Sequence, residues 1–258
     1  MDLQRTTEII IGVAREAGDR ARSGFGAATC THKHDGTLVT CFDGQCEQLI
    51  RAHLRRHWPD HTIYGEEMGF EGPPDNEWVW YLDPIDGTSN FVFGLPIWGA
   101  SIGLAHRGQP VAGVFYMPQT DETWWAWRGG GAYHNGQRLQ VYDPGDMNRT
   151  DLVCLSSSIL ERYHFSFPQK VRCYGSAAHA LAMMAGGAFA AVIHDHWYVH
   201  DIAAALLMCE EAGAVVTQTD GSVFASFEGL DPKAKVPALV VTGGKIHERM
   251  LAAVTPKA

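Results

Sequence analysis

The chain is short of charge, of paired cysteines and of long apolar runs, and each shortage excludes something. Charged residues make up 19% of the 258 positions and hydrophobic residues 46%, which excludes a disordered chain, since disorder needs low hydrophobicity. Basic residues are the scarcer sign, 20 against 29 acids, for a net charge of −9. That balance repels a phosphate backbone and argues against a nucleic-acid polymer as partner. The longest stretch of only apolar and Gly residues, 180–193, falls short of the roughly 20 residues that a membrane-spanning helix needs, so no membrane partner is expected. At the N-terminus, Arg5, Glu8 and Arg15 interrupt Ile9-Ile10-Ile11, so this segment reads as an amphipathic helix rather than a signal peptide. The six cysteines (Cys30, Cys41, Cys46, Cys154, Cys173, Cys209) form no C-x-x-C pair. They are expected to be reduced thiols packed as small hydrophobes, and the expected compartment is the cytoplasm. Repeats, low-complexity tracts and Pro/Ser linkers are missing too.

What the sequence does have is periodicity. Helical spacing over 6–21 (Ile9, Ile10, Val13, Ala14, Ala17) and over 43–57 (Cys46, Leu49, Ile50, Leu54) predicts two amphipathic helices. From Trp78 the texture changes to strands over 78–82, 98–105, 111–117 and 123–127, separated by Gly and Pro. Gly129-Gly130-Gly131 and Asn135-Gly136 mark turns. Alternation in Trp124-Trp125-x-Trp127 reads as a half-buried strand or a subunit interface. The polar segment 144–150 marks a boundary. Beyond it, strands over 152–155, 171–174, 189–193, 214–217 and 238–241 alternate with helices. One helix covers 176–185, from Ser176 to the stop at Gly186-Gly187; another covers 202–212, preceded by Asp201 and followed by Gly213. The reading is an α+β N-terminal half (1–143) and an α/β C-terminal half (151–258), together forming one compact unit.

Chemistry concentrates in Trp80-Tyr-Leu-Asp83-Pro-Ile-Asp86-Gly-Thr-Ser-Asn90-Phe. A buried strand runs into two carboxylates three residues apart, with Pro84 fixing the turn between them. Asp86 is placed to cap a short helix that ends near Gly94 and Pro96, whose first N–H groups would receive an anion. Hard oxygen ligands beside a phosphate cradle suit Mg²⁺. By pattern alone Asp-x-x-Asp-Gly is equally a structural turn. Glu66 and Glu67 follow Gly65 where a second strand ends, a favoured position for sites. Asp201, taken by itself, reads as a helix N-cap.

Six segments together resemble the inositol monophosphatase family of Mg²⁺-dependent, lithium-sensitive phosphomonoesterases. They are Leu38-Val-Thr40-x-x-Asp43, Gly65-Glu66-Glu67, Asp83-Pro-Ile-Asp86-Gly-Thr-x-Asn90-Phe, Gly131-Ala-x-x-Asn135-Gly, Gly175-Ser-Ala-Ala, and Asp201-x-Ala-Ala before Glu211-Ala-Gly. They lie in family order from about residue 33 to the end. The resemblance implies an α+β, layered αβαβα sugar-phosphatase-type fold and a homodimer. It also implies a site with two or three Mg²⁺. Glu66, Asp83 and the Ile85 carbonyl would hold the first, and Asp83, Asp86 and Asp201 the second. Asp83, Glu66 and Thr88 would be the catalytic residues, the last two orienting a water for in-line attack. Asp86, Gly87, Thr88, Gly175, Ser176, Ala177 and Asp201 would contact a small phosphorylated alcohol or sugar. Asp43 is either an outer metal-shell group or a helix cap. Lys33, near a position where the family often carries Lys, is either a solvated loop residue or a contact of the site.

The departures lie on the substrate side. Family members acting on inositol phosphates usually place a Glu seven residues before the last Asp; here that position is His194, within His194-Asp-His196-Trp-Tyr-Val-His200-Asp201. A carboxylate accepts hydrogen bonds from a diol, whereas neutral imidazole offers one donor and one acceptor, and imidazolium favours an anion. Histidinol phosphate, sugar bisphosphates and nucleotide 3′-phosphates are therefore alternative substrates for the same metal centre. A zinc site on the three histidines is the rival reading of that cluster, disfavoured because no Cys is near and no H-E-x-x-H helix exists. A metal- or phosphate-binding protein without turnover is the rival of another class.

Overall fold

The structure is a computed structural model that describes every residue except Ala225 and Ala258. Helix α1 (Leu3–Arg22) starts where Asp2 accepts the Arg5 N–H at 3.0 Å, and it buries Ile10, Val13, Ala14 and Ala17. A ribbon of β1 (Cys30–His32) antiparallel to β2 (Leu38–Thr40) leads into α2 (Cys41–His57). Thr40 and Asp43 form a capping box there, Asp43 Oδ2 accepting both the Thr40 N–H (2.8 Å) and its hydroxyl (2.6 Å).

The N-terminal half continues with β3 (Thr62–Gly65), β4 (Gly69–Glu71), β5 (Trp78–Asp86), α3 (Thr88–Phe93), β6 (Gly99–His106) and β7 (Gln109–Met117). It ends with β8 (Glu122–Trp127), β9 (Gly131–His134) and β10 (Gln137–Arg138). These strands make one eight-stranded sheet in the order β10-β9-β8-β7-β6-β5-β3-β4, in which only β3 and β5 run parallel. Strand β5 does not stop at Leu82, as Pro84 led us to expect. A register shift between Asp83 and Asp86 absorbs the proline and carries the strand to Asp86.

The C-terminal half comprises β11 (Leu152–Leu155), α4 (Ile159–Arg162), β12 (Tyr163–Phe165), β13 (Lys170–Arg172), α5 (Ala177–Ala185), β14 (Ala191–His194) and α6 (Val199–Glu211). After these come β15 (Val215–Gln218), β16 (Leu239–Thr242), α7 (His247–Ala252) and β17 (Val254–Pro256). A five-stranded sheet has the order β13-β11-β14-β16-β15, with β11 parallel to both neighbours, and β12 pairs with β17. The strand expected over 171–174 is shorter and sits earlier, at Lys170–Arg172.

Three buried clusters define five layers. α1 and α2 pack on one face of the large sheet through Ile10, Ile50, Leu54, Trp80, Leu82 and Ile102. α5 and α6 fill the space between its other face and the small sheet, where Leu181, Leu206 and Leu207 meet Phe115, Val192 and Val241. α4 and α7 cover the outside of the small sheet with Ile159 and Met250. This is the αβαβα arrangement, an α+β fold. The middle layer lies very close to the large sheet. A Cβ at Gly103 of β6 would fall 2.7 Å from Ala203 Cβ, and one at Gly113 of β7 would fall 2.6 Å from Ala204 Cα. The alanine face of α6 therefore lies on glycine, which brings the N-terminus of α6 down to the end of β5. In β8, Trp124 is buried, and half-buried Trp125 and Trp127 both stack on Tyr133. All six cysteines are free, and no described helix is long and apolar enough to cross a membrane.

Candidate active site

A cavity of about 320 Å³ opens where β3, β5, β11 and β14 end and where α3, α5 and α6 begin. Glu66, Asp83, Asp86 and Asp201 all line it, together with Ile85, Gly87, Thr88, Gly175, Ser176, Ala177 and His194. Asp83 lies within β5 and Asp86 at its end. Its Ile85 N–H donates to Asp83 Oδ1 at 3.1 Å, and the Thr88 hydroxyl donates to the Ile85 carbonyl at 3.1 Å. The turn after Asp86 needs Gly87, whose φ is +87° and whose added Cβ would lie 2.9 Å from the Ile97 carbonyl oxygen.

Two local expectations are corrected, the first by a long-range contact and the second by where the helix starts. Asp86 does not cap α3, whose N-cap is Gly87 without a side-chain bond. Its carboxylate reaches instead to the start of α5, accepting from the Ser176 hydroxyl and from the Ala177 and Ala178 N–H groups (3.0 Å each). Nor is Asp201 the N-cap of its helix. α6 starts three residues earlier than expected, at Val199, and Asp201 occupies the third position, where Oδ2 accepts the Tyr198 N–H at 2.8 Å. Asn90, part of the signature but given no role by sequence reasoning, ties the site together. Its amide donates to the carbonyls of Ile97 and Tyr174, both at 2.7 Å, fastening α3 to the loop before α5.

The electrostatics are dominated by buried like charges. Burial pushes the Asp83 carboxyl well above the ordinary carboxylate range, and Glu66, Asp86 and Asp201 push it further. Burial also raises Asp86, against the three donors from α5. Among the described residues, Lys33 alone brings a permanent positive charge to this group, its Nζ lying 2.7 Å from Glu66 and 2.5 Å from Glu67. Asp43 is the third-position partner of the Thr40 N-cap rather than the cap itself; its Oδ1 is buried without a partner among the described residues, and Glu66 is close enough to help raise its pKa, after burial.

With Asp86 turned to α5 and Glu66 to Lys33, no three described His, Cys, Asp or Glu side chains converge on one ion as they stand. The donor chemistry nonetheless fits a hard divalent cation. The candidate ligands Glu66, Asp83, Asp86, Asp201 and the Ile85 carbonyl are all oxygen donors, and four carboxyls share a single lysine among the described residues, a crowding that a protein tolerates when a cation is to be held.

On the substrate side, His194 is not an imidazolium facing an anion. Its Nδ1 accepts the Trp197 indole N–H at 3.1 Å, its Nε2 lies 3.5 Å from Cys154 Sγ, and burial lowers its pKa to about 3. The His cluster is split among separate partners. His200 Nε2 meets Asp201 Oδ1 at 3.1 Å, while His196 Nδ1 faces Asp195 and Ser158. Sequence reasoning missed Asp195. Its side chain has no exposed surface and accepts from Ser156 Oγ (2.6 Å), Ser158 Oγ (2.8 Å), Arg162 Nε (2.8 Å) and Nη2 (2.6 Å), and from His196 Nδ1 (3.1 Å). The only signal for it was an acid embedded between two histidines in an otherwise apolar stretch.

The layered fold and its carboxylate-lined cleft define a phosphoric monoester hydrolase, and comparison with known proteins names the group. The chain belongs to the inositol monophosphatase family, whose model matches residues 2–257. It is 32% identical over 229 residues to the fructose-1,6-bisphosphatase/inositol-1-monophosphatase of Aquifex aeolicus, covering 84% of this chain and 86% of the relative. It is 34% identical over 226 residues to the inositol-1-monophosphatase of Mesorhizobium japonicum, covering 83% and 85%. The Thermotoga maritima IMPase structure superposes with a TM-score of 0.83 at 27% identity, covering 95% of each chain.

Proposed function

We propose that the enzyme hydrolyses a small phosphorylated alcohol or sugar with two or three Mg²⁺ held by Glu66, Asp83, Asp86, Asp201 and the Ile85 carbonyl. The observation that carries this reading is the buried Asp83 carboxyl, crowded by Asp86 at the end of its own strand and by Glu66 and Asp201 from other parts of the fold. Mg²⁺ bound there supplies Lewis-acid stabilisation of charge on the transferring phosphoryl group. Gly87 and Thr88, at the start of α3 where helix N–H groups lack intrahelical acceptors, hold phosphate oxygens. The Thr88 hydroxyl and Glu66 orient the attacking water. Lys33 holds Glu66 and Glu67, supplying there the kind of positive charge that a bound cation would supply. No cysteine or serine nucleophile is involved. Inhibition by lithium and a homodimeric state follow from the same family reading, and the free thiols support a reducing compartment, the cytoplasm.

The test is phosphate release from inositol 1-phosphate, fructose 1,6-bisphosphate, histidinol phosphate and phenyl phosphate, with Mg²⁺ and with excess EDTA. The reading predicts turnover of at least one substrate that EDTA abolishes and Mg²⁺ restores. Unchanged turnover in EDTA overturns it, and tight phosphate binding with no turnover of any substrate favours the non-enzymatic binder.

A further inference from the structure

The imidazole that the sequence pattern puts on the substrate side is turned inward. At position 194 both ring nitrogens are turned to Trp197 and Cys154 inside the protein. Two residues on, His196 has a φ of +61°, a left-handed conformation that a β-carbon makes costly. His196 lines the cleft that Asp83, Asp86 and Asp201 also line. The Asp195 carboxylate (3.1 Å) and the Ser158 hydroxyl (3.2 Å) engage Nδ1, while Nε2 has no hydrogen-bond partner among the described residues and the side chain is 34% exposed. Asp195 is itself fixed by Ser156, Ser158 and Arg162, so the imidazole is held by a buried, fully hydrogen-bonded support.

His196 also lines a second cavity, of about 400 Å³, that adjoins the first. Its walls mix donors and acceptors: Arg162, Lys235 and Gln218 on one hand, Thr219 and Asp220 on the other. Arg162 is already paired with Asp195, and of the remaining charged groups Lys235 and Asp220 carry opposite signs, so the lining suits neither a hydrocarbon nor a strongly anionic group. It suits a group that donates and accepts hydrogen bonds along its length, which is the chemistry of a polyol.

We propose that His196 is the specificity-determining residue of this enzyme, its Nε2 hydrogen-bonded to a hydroxyl of a polyhydroxylated leaving alcohol that extends into the second cavity. Asp195 is the positioning residue that holds the ring. The inference rests on the phosphomonoesterase reading above and narrows its substrate class. A carboxylate is the usual diol acceptor at the position of His194; here the acceptor is an imidazole nitrogen supplied from a strained turn.

The test compares wild type with His196→Gly and His196→Asn on polyol phosphates (inositol 1-phosphate, glucitol 6-phosphate) and on phenyl phosphate, whose leaving group has no further hydroxyl. Glycine relieves the positive φ, so the variant is expected to fold, and asparagine tolerates the same backbone while keeping a polar side chain. Loss of one substrate hydrogen bond predicts that His196→Gly lowers kcat/KM about tenfold on the polyol phosphate, mainly through KM, and less than about twofold on phenyl phosphate. His196→Asn is expected to recover part of the loss. Equal effects on both substrate types, no effect on either, or a wild type that turns over phenyl phosphate but no polyol phosphate would each overturn the inference. In all three cases Mg²⁺-dependent phosphate release from any one of these substrates leaves the phosphatase reading standing; no release from any of them would sink that reading instead.

Discussion

Replacing Asp195 with asparagine removes one negative charge from the most heavily hydrogen-bonded carboxylate outside the acidic cluster. Five donors point at it, and its side chain has no exposed surface. Asparagine keeps one acceptor oxygen for the two serines but turns an amide N–H₂ toward the Arg162 guanidinium, so donor faces donor. Breaking a buried ion pair by removing one partner costs about 3–5 kcal/mol. Arg162 is half exposed and regains water, so the low end applies, about 3 kcal/mol. For a chain of this size that is a fall in Tm of about 6–12 °C. Urea denaturation of both proteins, followed by far-UV circular dichroism, measures the difference. The pH dependence has a definite sign. Burial raises the Asp195 pKa, but the hydrogen bonds from Ser156, Ser158, Arg162 and His196 outweigh it and hold the folded-state value below the ordinary 3.8. A depressed folded pKa contributes stability that is complete above the unfolded value and is lost as pH falls through the folded one. The gap between wild type and variant should therefore be flat from pH 8 down to about 5 and close only below about 4. A difference under about 0.5 kcal/mol at pH 7, the range of an ordinary surface substitution, would refute the claim that this carboxylate organises the substrate-side wall.

Gly103→Ala should cost about 1–3 kcal/mol by overpacking, since the new Cβ would meet Ala203 at 2.7 Å, and should reduce turnover by lifting the Asp201 end of α6; thermal melts and phosphate release check both. His194→Glu places a carboxylate where imidazole is fully buried and neutral. Burial would raise its folded pKa, so the variant should lose stability relative to wild type as pH rises from 5 to 8, with little change in the ranking of polyol against phenyl phosphates. A change in ranking without loss of stability would show that position 194 faces substrate after all.

Much of this architecture is visible in the chain because it is carried by local periodicity. The stripes of α1 and α2 and the nearly continuous apolar runs of β6 and β7, bounded by Gly and Pro, are large enough to read, and the core uses them as read. The short strands β1, β4, β12 and β17 were not anticipated, since their residues are mostly exposed and carry no alternation of apolar and polar positions. At the site, the identities of the acids were legible and their partners were not. Asp86 looks like a local cap because Gly-Thr-Ser follows it, yet it is bound by the N-terminus of a helix about ninety positions away. The orientation of His194 is decided by Cys154 and Trp197, one of them on another strand. The ion pair in the substrate-side wall between Asp195 and Arg162 joins residues 33 positions apart. Pattern fixes which residues carry chemistry; tertiary contacts fix which way they point.

The central claim is that Asp83 is buried against its neighbours in order to hold a cation that the reaction needs. Asp83→Asn tests it most directly when Mg²⁺ binding by calorimetry, phosphate release and thermal stability in EDTA are measured on the same preparations. The account predicts that the variant loses Mg²⁺ binding and nearly all turnover, yet in EDTA melts no lower than wild type, because a repelled buried carboxyl has been replaced by a neutral amide. A variant that binds Mg²⁺ and releases phosphate at the wild-type rate would contradict it.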